Sequence, residues 1–135
     1  MPLKKRYSAR LLFQFRFLDE DSTTATIRTV EERVVVIRAD SAKKALAAIT
    51  KKAKAEKYTA RNSDNVAYSF EFIGVLDLLH LDVEAQSNEV WDEVWYDIRK
   101  MKNPMERRDK LLPKEQDLSA IKEEGIAKTT RGRGK

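Results

Sequence analysis

Residues 6–18, RYSARLLFQFRFL, alternate with a period of two. Tyr7, Ala9, Leu11, Phe13, Phe15 and Phe17 fall on one side, Arg6, Ser8, Arg10, Gln14 and Arg16 on the other, and only Leu12 and Leu18 break the pattern. Successive side chains of an extended chain point to opposite faces, so this spacing predicts an antiparallel strand with one buried and one wet face. The acidic, hydroxyl-rich stretch LDEDSTTA (18–25) predicts a hairpin loop, and TIRTVEERVVVIRA (26–39) a second strand. Val34, Val35, Val36 and Ile37 place apolar groups on both faces of its second half, which predicts a central position covered on both sides.

At Asp40-Ser41 the period changes. Either residue can offer an N-cap oxygen to a helix that runs from Ala42 to about Lys57. Ala42, Ala45, Leu46, Ile49 and Ala53 make its core-facing stripe, small enough for close packing on a sheet. Lys43, Lys44, Lys51 and Lys54 occupy the opposite side, flanked by Lys52 and Lys57, with Glu56 the only acid. TARNSDN (59–65) has turn chemistry. A third strand follows over 66–81, with Tyr68, Phe70, Phe72, Gly74, Leu76 and Leu78 assigned to one face and Ser69, Glu71, Ile73, Val75 and Asp77 to the other. Gly74 in so apolar a run predicts a bulge or the close approach of another backbone, the helix being the nearest candidate.

Residues 83–103 fit two readings. Val90, Val94, Ile98 and Met101 are spaced for a helix, whereas VWYDIR (94–99) alternates as a strand; a strand over 93–100 would be the hairpin partner of the third strand, after the acidic loop DVEAQSNE (82–89). Beyond Asn103-Pro104, MERRDKLL (105–112) has the makings of two helical turns and KEQDLSAIKEE (114–124) of a second short helix. The expected architecture is therefore α+β: a small antiparallel sheet in ββαββ order with one amphipathic helix on a face. Residues 1–103 form the domain, 104–124 a helical extension and 125–135 a disordered basic tail.

The chain has 135 residues, 27 Lys/Arg, 22 Asp/Glu, one histidine and no cysteine. That length suits one domain. Lack of cysteine removes disulfides, thiolate metal sites and cysteine nucleophiles, and a lone His80 nearly excludes a histidine-based zinc site. No apolar run approaches the roughly 20 residues of a bilayer span, and MPLKKRYSAR lacks the apolar stretch of a signal peptide. The expectation is a cytoplasmic protein with no membrane partner and no cofactor.

Charge is segregated. Residues 1–61 carry a net +8, residues 62–98 contain no Lys or Arg and carry −9, and residues 99–135 carry +6. The last eight residues, KTTRGRGK, supply +4, so the basic balance belongs largely to the tail and does not describe a uniformly basic nucleic-acid-binding domain. Segments of opposite sign on one small domain can also pair between copies, which makes a salt-sensitive homodimer an expectation.

Five constellations carry candidate chemistry. His80 with Asp82 offers a general base, but no nucleophile accompanies it at a recognisable spacing, and a solvated strand end is the simpler account. The carboxylates of 77–97 could hold a hard cation, yet no calcium-loop motif is present. Lys43, Lys44, Lys51 and Lys54 could track a phosphate backbone, or simply form the wet face of a helix; stacking aromatics are missing among them. Arg131 and Arg133 in RGRGK suggest an RNA-binding Arg-Gly run in a very short form. Trp91, Trp95 and Tyr96, with Asp92 and Glu93 beside them, describe either a protein-binding patch or a small core.

The strand YSARLLFQFRF, the strand-to-helix passage EERVVVIRADSAKKAL, and YSFEFIGVLDL followed by EVWYDI resemble a family of small bacterial proteins known only as a domain of unknown function, over about residues 5–101. Arg6 stands where members usually have tryptophan, and the loop before Glu93 is longer than theirs. The resemblance favours a strand at 93–100 and implies no activity, ligand or catalytic residue. With no catalytic constellation, the expected function is a non-catalytic protein-interaction module: a regulatory, immunity-like or antitoxin-like partner of an unidentified protein, able to self-associate. The alternative is a nucleic-acid-binding accessory protein using the lysine helix and the tail.

Overall fold

The computed structural model describes residues 5–18, 27–81 and 92–125. The hairpin loop, the acidic loop with Asp82, Trp91 and the basic tail with Arg131 and Arg133 lie outside the described residues. Two long strands, β1 (Lys5–Phe17) and β2 (Ile27–Ala39), pair antiparallel from Lys5↔Ala39 to Gln14↔Val30. The helix α1 (Ala42–Ala55) follows, capped by Ser41, whose side chain accepts from the Lys44 amide at 3.2 Å. It buries Ala42, Ala45, Ile49 and Ala53. Three more strands complete the sheet: β3 (Tyr58–Arg61), β4 (Ala67–Leu81) and β5 (Asp92–Lys102). All pairings are antiparallel, in the order β3-β4-β1-β2-β5.

The α+β class stands, but the chain order is ββαβββ and not ββαββ. The helix ends two residues early, and the segment read as a turn begins with β3. Four residues are too few to show alternation. β3 is held by its pairing with β4 and by Tyr58 stacking on Phe70, ring centroids 5.2 Å apart. The turn itself is built by Asn62, whose side-chain oxygen accepts from the Asp64 and Val66 amides, and by Asn65 at φ 62°.

β5 is a strand, but it does not pair with β4. β1 takes one side of β4 and β3 the other, whereas the outer side of β2 is open, and β5 pairs there from Ile27↔Lys102 to Val36↔Asp92.

The helix-side core contains Tyr7, Ala9, Leu11, Phe13, Val35 and Ile37 with the α1 stripe. Phe13 stacks on Phe70 at 4.8 Å. The face assignment within β4 changes partway along. Against β1, its register slips between Arg10 and Leu11 and again between Leu12 and Phe13. Each extra residue reverses the alternation, so Val75 joins Phe70, Phe72 and Leu78 on the helix side, and Ile73 and Leu76 pack on the other. Gly74 lies between the two irregularities. The space a side chain would need there is filled by the Leu112 side chain, not by the helix backbone.

The opposite face is not simply wet: Leu12, Val30 and Ile73 are buried, with Met101, Met105 and Leu112 packed against them. Helical structure after β5 is fragmentary: one turn, α2 (Arg108–Leu111), a 3-10 turn over Glu115–Asp117, and helical residues at 119–125. This segment serves both faces. Leu112 covers Gly74 on one side, while Leu118 and Ala120 enter the helix-side core on the other. Between them, Asp77 accepts from the Ser119 amide and hydroxyl, both at 3.0 Å. Glu124 then accepts from the Ala42 amide at the start of α1 and from the Tyr7 hydroxyl, the latter at 2.5 Å. Burial, reinforced by that carboxylate, holds the Tyr7 hydroxyl protonated well beyond its ordinary range. No described helix is long and apolar enough to cross a membrane.

Candidate functional site

β5 is an edge strand whose outer side has no sheet partner among the described residues. Its side chains alternate across the sheet, and neither face covers the large apolar ones over 94–98: Val94, Trp95, Tyr96 and Ile98 are exposed, from 49 % at Trp95 to 60 % at Tyr96. A small-core reading of Trp95 and Tyr96 therefore fails. α1 lies over β1, β2 and β4 and does not reach this far. Trp95 and Tyr96 point to opposite faces, opposite Val34 and Arg33 respectively. Glu93 is also exposed but has a charged neighbour: Arg33 lies 3.5 Å from it and also pairs with Glu31 and Glu56, its guanidinium 4.7 Å above the Phe13 ring. The side chains of Trp91 and Asp92 lie outside the described residues.

Lys43, Lys44, Lys51 and Lys54 are all exposed on α1. Lys44 is 3.5 Å from Asp40, an (i, i+4) pair of small energetic weight. Glu56, the acid at the end of this helix, is engaged by Arg33 at 2.7 Å. His80 lies beside Tyr7, with ring centroids 5.4 Å apart, and 3.9 Å from Glu123. Among the described residues no three His, Asp or Glu side chains converge as metal ligands.

The largest polar assembly among the described residues was not singled out in the sequence. On the face away from α1, Arg16 donates through two nitrogens to the two oxygens of Glu71, at 3.0 and 2.9 Å. Gln14 donates to Glu71 at 2.7 Å and accepts from Arg28 at 3.2 Å. Arg28 in turn forks onto Glu106 at 2.5 and 2.6 Å. Gln14, Arg28 and Glu71 are 1 %, 6 % and 9 % exposed, so each charge is stable here only because it is paired. Its hydrogen bonds to Arg16, with Gln14 adding to them against the opposing effect of burial, lower the Glu71 carboxyl to a pKa of about 2. Arg28 holds Glu106 below its ordinary value in the same way. Arg28 Nε itself is buried with no hydrogen-bond partner.

These residues line an open cleft of about 470 Å³, together with Phe72 from the helix side of β4. Lys54 and Lys57 line it from the end of α1, and Met105, Glu106 and Arg108 from the turn after β5. The available sequence signal was the run of Arg and Gln on the supposedly wet side of the first strand. What covers that side comes from residues some 90 positions later in the chain. A second cleft, about 620 Å³, opens beside Ser41 and Lys43 at the start of α1. Its anion-attracting helix end is already occupied by the Glu124 carboxylate, which accepts from the Ala42 amide at 2.9 and 3.0 Å.

The family model described as "Domain of unknown function (DUF4288)" matches residues 6–91, which includes β1 through β4 and ends just before β5. No curated protein and no solved structure matches the chain.

Proposed function

For a chain that belongs to the DUF4288 family, a domain of unknown function, we propose a non-catalytic protein-interaction role exercised through the β5 edge, with a second copy of the chain as partner. One observation carries this reading: four large apolar side chains, Val94, Trp95, Tyr96 and Ile98, stand exposed on an eleven-residue strand whose outer edge has no partner among the described residues. An edge of that length presents open amides and carbonyls to any further strand, and proteins ordinarily blunt such edges. The charges of β5 suit a copy of itself. Glu93 and Asp97 precede Arg99, Lys100 and Lys102, so an antiparallel second β5 sets acids against bases.

Light scattering and sedimentation across protein concentration and salt test the proposal. A dimer is expected, weakened by salt and reduced to monomer by Tyr96→Lys with Ile98→Lys. Both side chains are exposed, so the far-UV circular dichroism of that variant should match the parent. A wild-type chain that stays monomeric at low salt and high concentration, or a variant that dimerises as the parent does, removes the reading.

A second reading is favoured by a separate feature: α1 presents Lys43, Lys44, Lys51 and Lys54 to solvent and contains no acid. On that basis the chain would be a nucleic-acid-binding accessory protein. Retention on duplex DNA at low salt, falling steeply with ionic strength and lost in a variant with these four lysines changed to alanine, would support it. Passage through such a column at low salt without retention rejects it.

A further inference from the structure

We propose that the cleft between the end of α1 and the turn after β5 is a binding site for a small phosphate-bearing ligand. This site is separate from the β5 edge and does not depend on it.

Five cations line the cleft (Arg16, Arg28, Lys54, Lys57 and Arg108) against two carboxylates, Glu71 and Glu106. Both carboxylates are already committed, Glu71 to Arg16 and Gln14, and Glu106 to Arg28. Lys54, Lys57 and Arg108 make no ion pair among the described residues. Folding has thus brought three uncompensated charges from α1, its exit and the turn after β5 into one concavity. Like charges held together repel, and a multiply charged oxyanion relieves that repulsion.

The donors also match an oxyanion in kind. Two lysines supply compact ammonium groups, and Arg108 supplies a planar fork of N–H donors. Arg16 uses only two of its three guanidinium nitrogens on Glu71. Below them, Arg28 is 6 % exposed with Nε unpartnered, a buried cation whose present counter-charge, Glu106, is 53 % exposed and therefore loosely enclosed. A volume of about 470 Å³ lies within the range of small-molecule sites. Phe72 is the only aromatic among the described residues that line it, so recognition rests on the phosphate and not on stacking against a base.

Calorimetric titration of the full chain at constant ionic strength is the test, with pyrophosphate, orthophosphate and glycerol phosphate as probes. Saturable binding at one site per chain is expected for at least pyrophosphate. Arg108→Ala and the Lys54→Ala/Lys57→Ala pair should each weaken it by about tenfold or more, whereas Lys44→Ala/Lys51→Ala, outside the cleft, should change it by less than about twofold. Binding of glycerol phosphate with the same variant pattern identifies a phosphate ester as ligand; binding of the inorganic probes alone identifies the free anion. Glu106→Gln provides a readout that general surface attraction would not move. It removes a resident competitor for Arg28, so saturating pyrophosphate should raise its melting temperature more than that of the parent. No saturable binding, equal losses from the outside lysine pair, or a smaller thermal response in Glu106→Gln would each overturn the proposal. So would tight binding of a single-stranded oligonucleotide with losses spread evenly over Lys44, Lys51, Lys54 and Lys57, which would assign the basic surface to nucleic acid.

Discussion

Glu71→Gln should destabilise the fold at neutral pH and leave it nearly unaffected in strong acid. The Glu71 carboxyl, ordinarily near 4.5, is held at about 2 by its hydrogen bonds to Arg16. A carboxyl with a depressed folded-state pKa stabilises the fold wherever it is ionised in both states. That contribution is complete above about pH 4.5 and is lost as pH falls towards 2, because in that window the unfolded chain takes up a proton that the folded chain refuses. At about 1.4 kcal/mol per pKa unit the ceiling is roughly 3–4 kcal/mol. Arg16 is 40 % exposed, so solvent screening brings the expected contribution down to roughly 2–3 kcal/mol. Glutamine keeps the shape and a carbonyl acceptor but not the charge. Urea unfolding of parent and variant at half-unit steps from pH 2 to pH 7 gives the difference directly, and the other titrating groups cancel in it. The difference should be roughly 2–3 kcal/mol near pH 7, shrink below pH 4.5 and approach zero near pH 2. A difference that stays constant over the whole range would refute the electrostatic account and leave only a packing defect.

Gly74→Ala places a methyl group where the Leu112 side chain now lies, and should cost about 1–3 kcal/mol in chemical denaturation. Adding Leu112→Ala should recover part of that loss; strict additivity of the two changes would mean that they do not compete for the same space. Glu124→Ala removes the acceptor that joins the Tyr7 hydroxyl to the Ala42 amide, and should cost about 1–2 kcal/mol, with Tyr7→Phe costing about 1. The double variant should lose less than the sum, since one carboxylate serves both donors; a simple sum would show the two bonds to be independent.

Local rules carried the long elements of this protein. The period-two alternation of 6–18 marks β1, and the β-branched run at 34–37 marks a covered β2. Ser41 followed by Ala42, Ala45, Ile49 and Ala53 marks the start and buried stripe of α1. In each case the pattern repeats over enough residues for one backbone geometry to satisfy all of them. β3 was not legible because four residues carry no period, and its identity comes from Tyr58 lying on Phe70. The change of face within β4 was hidden for a different reason. Its two irregularities exist only relative to β1, and nothing in residues 67–81 alone reveals them.

What the chain determines by itself is therefore which segments extend, which one coils and which sides of them are greasy, since these follow from neighbours a few residues apart. Tertiary structure alone decides where β5 joins, because that depends on which sheet edge the other strands leave open. It also decides that Trp95 and Tyr96 face solvent and that half-exposed Arg16 joins buried Arg28 and Glu71 in one network beside Lys54, Lys57 and Arg108. A charged side chain reads as solvated until something distant covers it. Here the cover is the segment after β5, whose Glu106 supplies Arg28 with the counter-charge that allows its burial.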